Sequence, residues 1–199
     1  MYKGFIKRVL DIVLSSIGII VLLPVWIIVP ILIKCDDGGS IFYLADRIGK
    51  NSKKIRMLKF RSMKENNIDI RNEDGSTYNS EDDPRVTRIG RILRKTSIDE
   101  LPQLFNVIKG DMSLVGPRAS TWDSLISYKE DELDKMKVKP GITGYTQAYY
   151  RNSISMREKR LMDVKYANSV SFILDVKIVL QTINTVLFRK NLYTNKPDK

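Results

Sequence analysis

The sequence predicts a compact α/β domain of the helix-rich α+β kind, with an N-terminal re-entrant membrane helix hairpin and interfacial amphipathic helices. The hairpin is predicted by 22 consecutive uncharged and largely apolar residues, 12–33, which Pro24 interrupts. Two short stretches with strand character follow at 40–43 and 55–63. Most of the remaining chain shows helical periodicity, which makes helix the dominant predicted element.

The apolar run is long enough to enter a membrane. As a straight helix its 22 residues would measure about 33 Å, which just matches the hydrocarbon core of a bilayer. Pro24 lacks a backbone N–H and leaves a carbonyl without its helical partner, so we expect a bend there. Lys3, Lys7 and Arg8 precede the run and many basic residues follow it, so the positive-inside rule places both flanks in the cytoplasm. A re-entrant hairpin satisfies this rule, and a single-pass anchor with a proline kink is the alternative.

The elements after the apolar run are predicted from periodicity and turn residues. In order, they are strands at 40–43 and 55–63 joined by a turn at 49–52, a mobile polar loop at about 66–84, a basic helix at 85–95, a helix at 99–108, an extended piece at 111–118, a helix at 120–136, a glycine-containing loop at 139–144, and helices at 155–167 and 172–188. The last helix either packs in the core or lies in the membrane interface. We find no internal repeat, and we divide the chain into the hairpin, 1–35, and one head domain, 36–199.

Composition limits the chemistry that the chain can perform. It has no histidine and a single cysteine, which excludes an intramolecular disulfide, an ordinary zinc site and a histidine-based triad. The net charge of +11 predicts an anionic partner, such as nucleic acid, anionic lipid or a phosphorylated substrate.

Two adjacent carboxylates, Asp99 and Glu100, are the leading candidates for catalysis. Ser97 and Glu100 have the spacing of a capping box, which predicts that both acids lie in the first turn of a helix. The positive end of a helix dipole favours ionised carboxylates and can also bind phosphate. The alternative is that the two acids only complement the dipole of that helix.

Six segments in this order resemble the small monotopic phosphoglycosyl transferases of bacteria, also called bacterial sugar transferases. They are the apolar segment with its central proline, Lys59-Phe60-Arg61-Ser62-Met63, the stretch from Ser97 to Val107, the stretch from Lys109 to Arg118, Lys139-Pro140-Gly141-Ile142-Thr143-Gly144, and the stretch from Arg151 to Ser155. The resemblance runs nearly from end to end of the chain.

The resemblance implies transfer of a sugar-1-phosphate from a UDP-sugar to undecaprenyl phosphate with release of UMP. This is the first membrane step of bacterial glycoconjugate assembly. It implies that Asp99 is the nucleophile of a covalent phosphosugar intermediate and that Glu100, with Asp99, holds Mg²⁺. Substrate-binding roles are implied for Lys59, Arg94, Pro117, Arg118 and Arg151. Pro24 would bend the membrane hairpin.

The same resemblance implies a location and partners. The head domain would lie on the cytoplasmic face of the bacterial inner membrane, in contact with membrane lipids, as a possible homo-oligomer that binds no nucleic acid. Two other functions fit the composition: a membrane-tethered basic module that binds nucleic acid or anionic lipid, and a non-catalytic scaffold for other glycosylation enzymes. The sequence shows no nucleic-acid-binding motif, and the intact acid pair argues against the scaffold.

Overall fold

The computed structural model describes residues 2–66, 68, 70, 78, 80, 82–150 and 153–187. Its helices and strands are α1 (Lys7–Val21), α2 (Leu23–Asp37), β1 (Phe42–Ile48), β2 (Lys54–Phe60), α3 (Arg88–Thr96), α4 (Gln103–Lys109), β3 (Ser113–Val115), β4 (Gly141–Thr143), α5 (Tyr145–Tyr149), α6 (Met156–Ser169) and α7 (Phe172–Leu187). A π-helical turn, Tyr2–Ile6, precedes α1. The protein is therefore helix-rich with two small sheets, in agreement with the predicted α+β class.

The N-terminal helices form a bent pair. The chain bends by 63° between the segments Tyr2–Val21 and Leu23–Asp37. The bend lies at Leu22, and Pro24 falls in the first turn of α2, where its missing N–H breaks no helical hydrogen bond. The indole N–H of Trp26 donates to the Ile19 carbonyl at 3.0 Å, which satisfies a carbonyl near the break. Within the described residues no single helix is long and apolar enough to span a membrane, whereas this bent pair qualifies when its two arms are taken together.

Each of the two sheets has two strands. β1 and β2 are antiparallel, with Phe42 opposite Phe60 and Ile48 opposite Lys54. The predicted first strand was too short and the predicted second strand too long, because Met63 forms an isolated bridge to Val86 after β2 has ended. β3 and β4 are parallel. Since β4 spans Gly141–Thr143, the expected loop at 139–144 contains a strand.

Several predicted helices have different bounds. The expected helix at 120–136 was wrong: two 3₁₀ segments, Trp122–Ser127 and Glu130–Lys137, stand there because Tyr128 and Lys129 are extended between them. The basic helix begins at Arg88. α6 agrees with prediction to within two residues at each end, and α7 begins at the predicted residue. Most of the expected mobile loop lies outside the described residues.

The first helix is attached to the head domain by polar contacts. Arg8 donates to the carbonyls of Val107 and Ile108 at the end of α4. The buried Asp11 carboxylate accepts from the Ser113 hydroxyl at 3.1 Å and from the Leu114 N–H at 2.9 Å. These bonds fix α1 against α4 and β3.

The last helix packs one face on the core and leaves the other face open. Ile178 is fully buried in a cluster with Val115 and Tyr166. Ile173 and Leu180 are mostly exposed on the other side of α7. The core interpretation therefore holds for one face only.

Candidate active site

The acid pair lies in a short 3₁₀ turn between α3 and α4. Ser97 ends α3 in the left-handed conformation, with φ +60°, and its N–H donates to the Arg94 carbonyl. Asp99 and Glu100 follow in the turn Ile98–Glu100, and α4 begins only at Gln103. The predicted capping box was wrong, because the left-handed Ser97 caps the preceding helix and its side chain makes no N-cap hydrogen bond.

Lys59 joins this turn from the end of β2. Its Nζ lies 2.6 Å from Glu100 Oε1, and the two side chains are 16% and 23% exposed. Lys59 and Glu100 are 41 positions apart in the chain, so their contact is a tertiary one that brings the end of β2 to the turn. The pair is a partly buried, charge-assisted hydrogen bond, which is stronger than a bond between neutral groups.

The two carboxyl groups have opposite pKa shifts. Burial raises the pKa of Asp99 to about 6, with the positive charge of Lys59 opposing the shift and the negative charge of Glu100 adding to it. Burial also acts to raise the pKa of Glu100, but Lys59 and Arg118 outweigh it and hold that pKa below its usual value. A proton is therefore held more readily by Asp99, which is 8% exposed.

The other predicted site residues are distributed as follows. Arg118 Nη2 lies 4.0 Å from Glu100 Oε1, beyond hydrogen-bond distance, and its side chain is 59% exposed. Arg94 contacts the Met63 sulfur at 3.5 Å, and its charge lowers the pKa of Asp99. Pro117 is buried next to Arg118. The structure thus brings Lys59, Arg94 and Arg118 around the acid pair, whereas Pro24 belongs to the hairpin and Arg151 lies outside the described residues.

Arg47 is a candidate that the sequence prediction missed. It lies on β1 and its charge lowers the pKa of Glu100. It also lines an open, polar cleft of about 520 Å³ together with Tyr43, Arg56 and Thr121. Its isolated bridge to Thr121 brings the segment after Arg118 to this strand. Only the strand register could have revealed Arg47, because no motif surrounds it.

The donor set around the acid pair fits Mg²⁺ only in part. The described residues contain no group of three or more histidine, cysteine or acidic side chains placed to bind a metal. Mg²⁺ commonly uses one or two carboxylates and completes its shell with water and substrate phosphates. Asp99 and Glu100 fit that incomplete shell. Lys59 would compete with the cation for Glu100, because it already holds one carboxylate oxygen.

The chain is similar to known proteins along nearly its whole length. Residues 2–189 match the model of the family described as bacterial sugar transferase. The exopolysaccharide production protein ExoY of Rhizobium meliloti is 37% identical over 96% of this chain and 89% of its own length. Galactosyl transferase CpsE of Streptococcus agalactiae is 42% identical over 91% of this chain, which covers 42% of CpsE. The undecaprenyl-phosphate galactose phosphotransferase of Salmonella typhimurium is 38% identical over 95% of this chain and 42% of its own length. The chain belongs to the bacterial sugar transferase family.

Proposed function

We propose that the protein transfers a sugar-1-phosphate from a UDP-sugar to undecaprenyl phosphate, as the first membrane step of glycoconjugate assembly. The observation that carries the proposal is the acid pair, Asp99 and Glu100, with Lys59 bonded to it and Arg94 and Arg118 close enough to act on its charge. Two relatives support the substrates by name, the UDP-galactose-lipid carrier transferase of Erwinia amylovora and the Salmonella phosphotransferase.

The reaction would proceed in two displacements at phosphorus. A carboxylate oxygen of Asp99 attacks the sugar-bearing phosphate of the donor. The bond from that phosphorus to the bridging oxygen breaks, and UMP leaves with the electron pair. Then an oxygen of undecaprenyl phosphate attacks the same phosphorus and returns Asp99 to its carboxylate form. One nucleophile thus divides the exchange into two steps.

The surrounding cations would neutralise the phosphates and keep Asp99 ionised. Lys59 and Arg94 both lower the pKa of Asp99, against the effect of burial. Lys59 and Arg118 would bind the donor diphosphate, since positioning and charge neutralisation dominate catalysis of phosphoryl transfer. We place Arg151 in the same role. Mg²⁺, held by Asp99 and Glu100, would neutralise further diphosphate charge when bound.

We further propose that the bent helix pair is a re-entrant membrane hairpin, 1–35, with the head domain, 36–199, on the cytoplasmic face of the inner membrane. The bend of 63° divides the apolar run into two arms and fits either a broken span or a re-entrant loop, and the basic residues on both flanks favour the re-entrant form. The hairpin leaves many aliphatic side chains more than half exposed, as expected for a lipid-facing surface: Leu14, Ile17, Ile20, Val21, Leu23, Ile27, Ile28 and Ile31.

The experiment combines turnover with detection of the intermediate. Purified protein in nanodiscs is supplied with undecaprenyl phosphate, Mg²⁺ and a panel of UDP-sugars, and UMP release is measured. In a second reaction the acceptor is omitted and the intact protein is weighed by mass spectrometry. We expect UMP release with at least one donor and a protein mass increased by one sugar phosphate, both absent in Asp99→Asn.

The matched control is Asp134→Asn, which removes a carboxylate from a surface ion pair with Lys137 and should leave both signals unchanged. Full turnover by Asp99→Asn would exclude this residue as the nucleophile. Folded wild-type protein that is silent with every donor would favour a scaffold without catalytic activity.

A further inference from the structure

A buried ion pair lies beneath the segment 118–120, which follows β3 and begins at the isolated bridge of Arg118 to Gly141. Lys135, on the 3₁₀ segment Glu130–Lys137, places its Nζ 3.2 Å from Asp163 Oδ2 on α6. The residues are 6% and 2% exposed. Lys and Asp are rarely buried so completely unless they are paired, so the partners of this pair indicate its purpose.

The ammonium group of Lys135 donates to the segment 118–120 as well as to Asp163. Its Nζ donates to the Arg118 carbonyl at 3.2 Å and to the Ser120 hydroxyl at 3.3 Å. With the bond to Asp163, this employs the three donors of an ammonium group. Two of the three bonds therefore hold the segment from Arg118 to Ser120.

Asp163 lies on the N–H side of Arg118, opposite the carbonyl that Lys135 holds. The Arg118 backbone N–H faces its carboxylate and acts to lower the pKa of Asp163, and Oδ1 accepts from the Thr146 hydroxyl at 3.0 Å. The preceding residue is fixed separately, because the Gly141 N–H donates to the Pro117 carbonyl at 2.9 Å. The backbone of Arg118 thus lies against one ion pair, with its carbonyl bonded to Lys135 and its N–H facing Asp163.

The side chain of Arg118 lacks a comparable restraint toward the acid pair. Its guanidinium is 4.0 Å from Glu100 and mostly exposed, so the direction in which it projects depends on where its backbone is held. Buried ion pairs are often replaceable by apolar residues without loss of stability, so stability alone does not account for this one.

We propose that Lys135 and Asp163 are positioning residues that set the backbone of Arg118 and thereby aim its guanidinium at a phosphate of the nucleotide-sugar donor. The inference rests on the proposed function for the identity of the ligand. The positioning itself is a property of the folded protein and can be measured without turnover.

The first test is a double-mutant cycle on kcat/KM for the donor. Arg118→Ala should lower kcat/KM by about 10- to 150-fold, the range expected for a hydrogen-bonded charge on phosphate. Lys135→Met should lower it by about 10-fold or more, since small misplacements of a catalytic group are costly. Because Lys135 acts through Arg118, the double variant should be no worse than Arg118→Ala alone. Effects that multiply would overturn the proposal.

The second test measures how firmly the backbone of residues 118–120 is held, by amide hydrogen exchange. The amides of residues 118–120 should exchange about 10-fold faster or more in Lys135→Met than in the wild type. The matched control is Arg157→Met. It removes ion pairs with Asp131 and Glu132, which lie on the same 3₁₀ segment as Lys135, and leaves the contacts of Lys135 with residues 118–120 in place. It should change neither exchange at 118–120 nor kcat/KM.

The outcomes separate this inference from the proposed function. Unchanged exchange in Lys135→Met would overturn the positioning role even if the enzyme is active. A wild type without turnover would count against the proposed function, and the exchange result would then decide the positioning role alone. If Lys135→Met does not fold, Asp163→Asn takes its place in both tests, because it removes the charge and keeps the shape of the side chain.

Discussion

Replacement of Lys59 by methionine should have opposite effects on turnover and on metal binding. Methionine keeps much of the length and apolar volume of the lysine stem but removes the ammonium that bonds Glu100 at 2.6 Å. In the proposed mechanism this ammonium has two roles. It neutralises donor phosphate, and it occupies a carboxylate oxygen that Mg²⁺ needs.

The expected size of both effects follows from the strength of that bond. A hydrogen bond to a charged group contributes about 1.5–3 kcal/mol net, which corresponds to about 10- to 150-fold in an equilibrium constant or a rate. Loss of the phosphate contact should lower kcat/KM by this factor. Because the cation no longer displaces Lys59 from Glu100, its dissociation constant should fall by up to the same factor.

Two assays separate the effects. UMP release gives kcat/KM at saturating Mg²⁺, and Mn²⁺ binding followed by electron paramagnetic resonance gives metal affinity without turnover. Lys54→Met is the matched control, because Lys54 lies on the same strand and pairs at 2.7 Å with Asp46, in a half-exposed ion pair away from the acids. Weaker or unchanged metal binding in Lys59→Met would refute the competition for Glu100.

Three further predictions concern the hairpin and the head domain. Asp11→Ala leaves the Ser113 hydroxyl and the Leu114 N–H without their acceptor, so it should lower the free energy of unfolding by about 2–6 kcal/mol. Asp11→Asn keeps an acceptor and should lower it much less. Thermal unfolding in detergent measures both variants. Burial acts to raise the pKa of Glu132, but hydrogen bonds from the Lys129 N–H and from Arg160 and Arg157 outweigh it and lower the pKa. The stability that this carboxylate contributes is therefore present above its unfolded-state pKa of about 4.3 and is lost as pH falls through its folded-state pKa. Glu132→Gln should therefore weaken the decline in the free energy of unfolding at acid pH. An unaltered decline would contradict this. The topology of the hairpin can be tested by cysteine labelling at the exposed Cys35 and, in Cys35→Ser protein, at the open position Gly4, substituted as Gly4→Cys. In a re-entrant hairpin both cysteines should react with an impermeant maleimide from the cytoplasmic side only. Labelling of Gly4→Cys from the periplasmic side would show a single-pass anchor.

The bend of the N-terminal helices could be predicted from local chemistry, since a proline in a helical run removes a backbone donor and favours a break or kink. Which proline lies at the break could not, because Pro30 stands within α2 without ending it. The bonding around the bend could not be predicted either. Trp26 reaches back seven residues to Ile19, and no sequence pattern marks that contact. The attachment of α1 through Asp11 also depends on tertiary contacts, because its partners lie about 100 residues away.

The acid pair shows the same division. Adjacent acids were enough to nominate a candidate site, but the Ser97–Glu100 spacing gave the wrong local structure. Serine suits an N-cap by its side chain, yet here the end of α3 places Ser97 in the left-handed region first. The Lys59–Glu100 contact depends on the β1–β2 register and on the packing of that hairpin against the turn, which no local spacing encodes.

The attachment of α1 to the last turn of α4 affects how a lipid-borne acceptor would be found. α4 is seven residues long, or about 10 Å, and the acid pair lies just before its first residue. Because Arg8 holds the far end of α4 to α1, rigid elements set the height of Asp99 above the hairpin. A phosphate that diffuses in the plane of a bilayer keeps a constant height as well. If the proposed mechanism holds, its encounter with Asp99 would be a search in two dimensions, and only the water-soluble donor would have to be found in three.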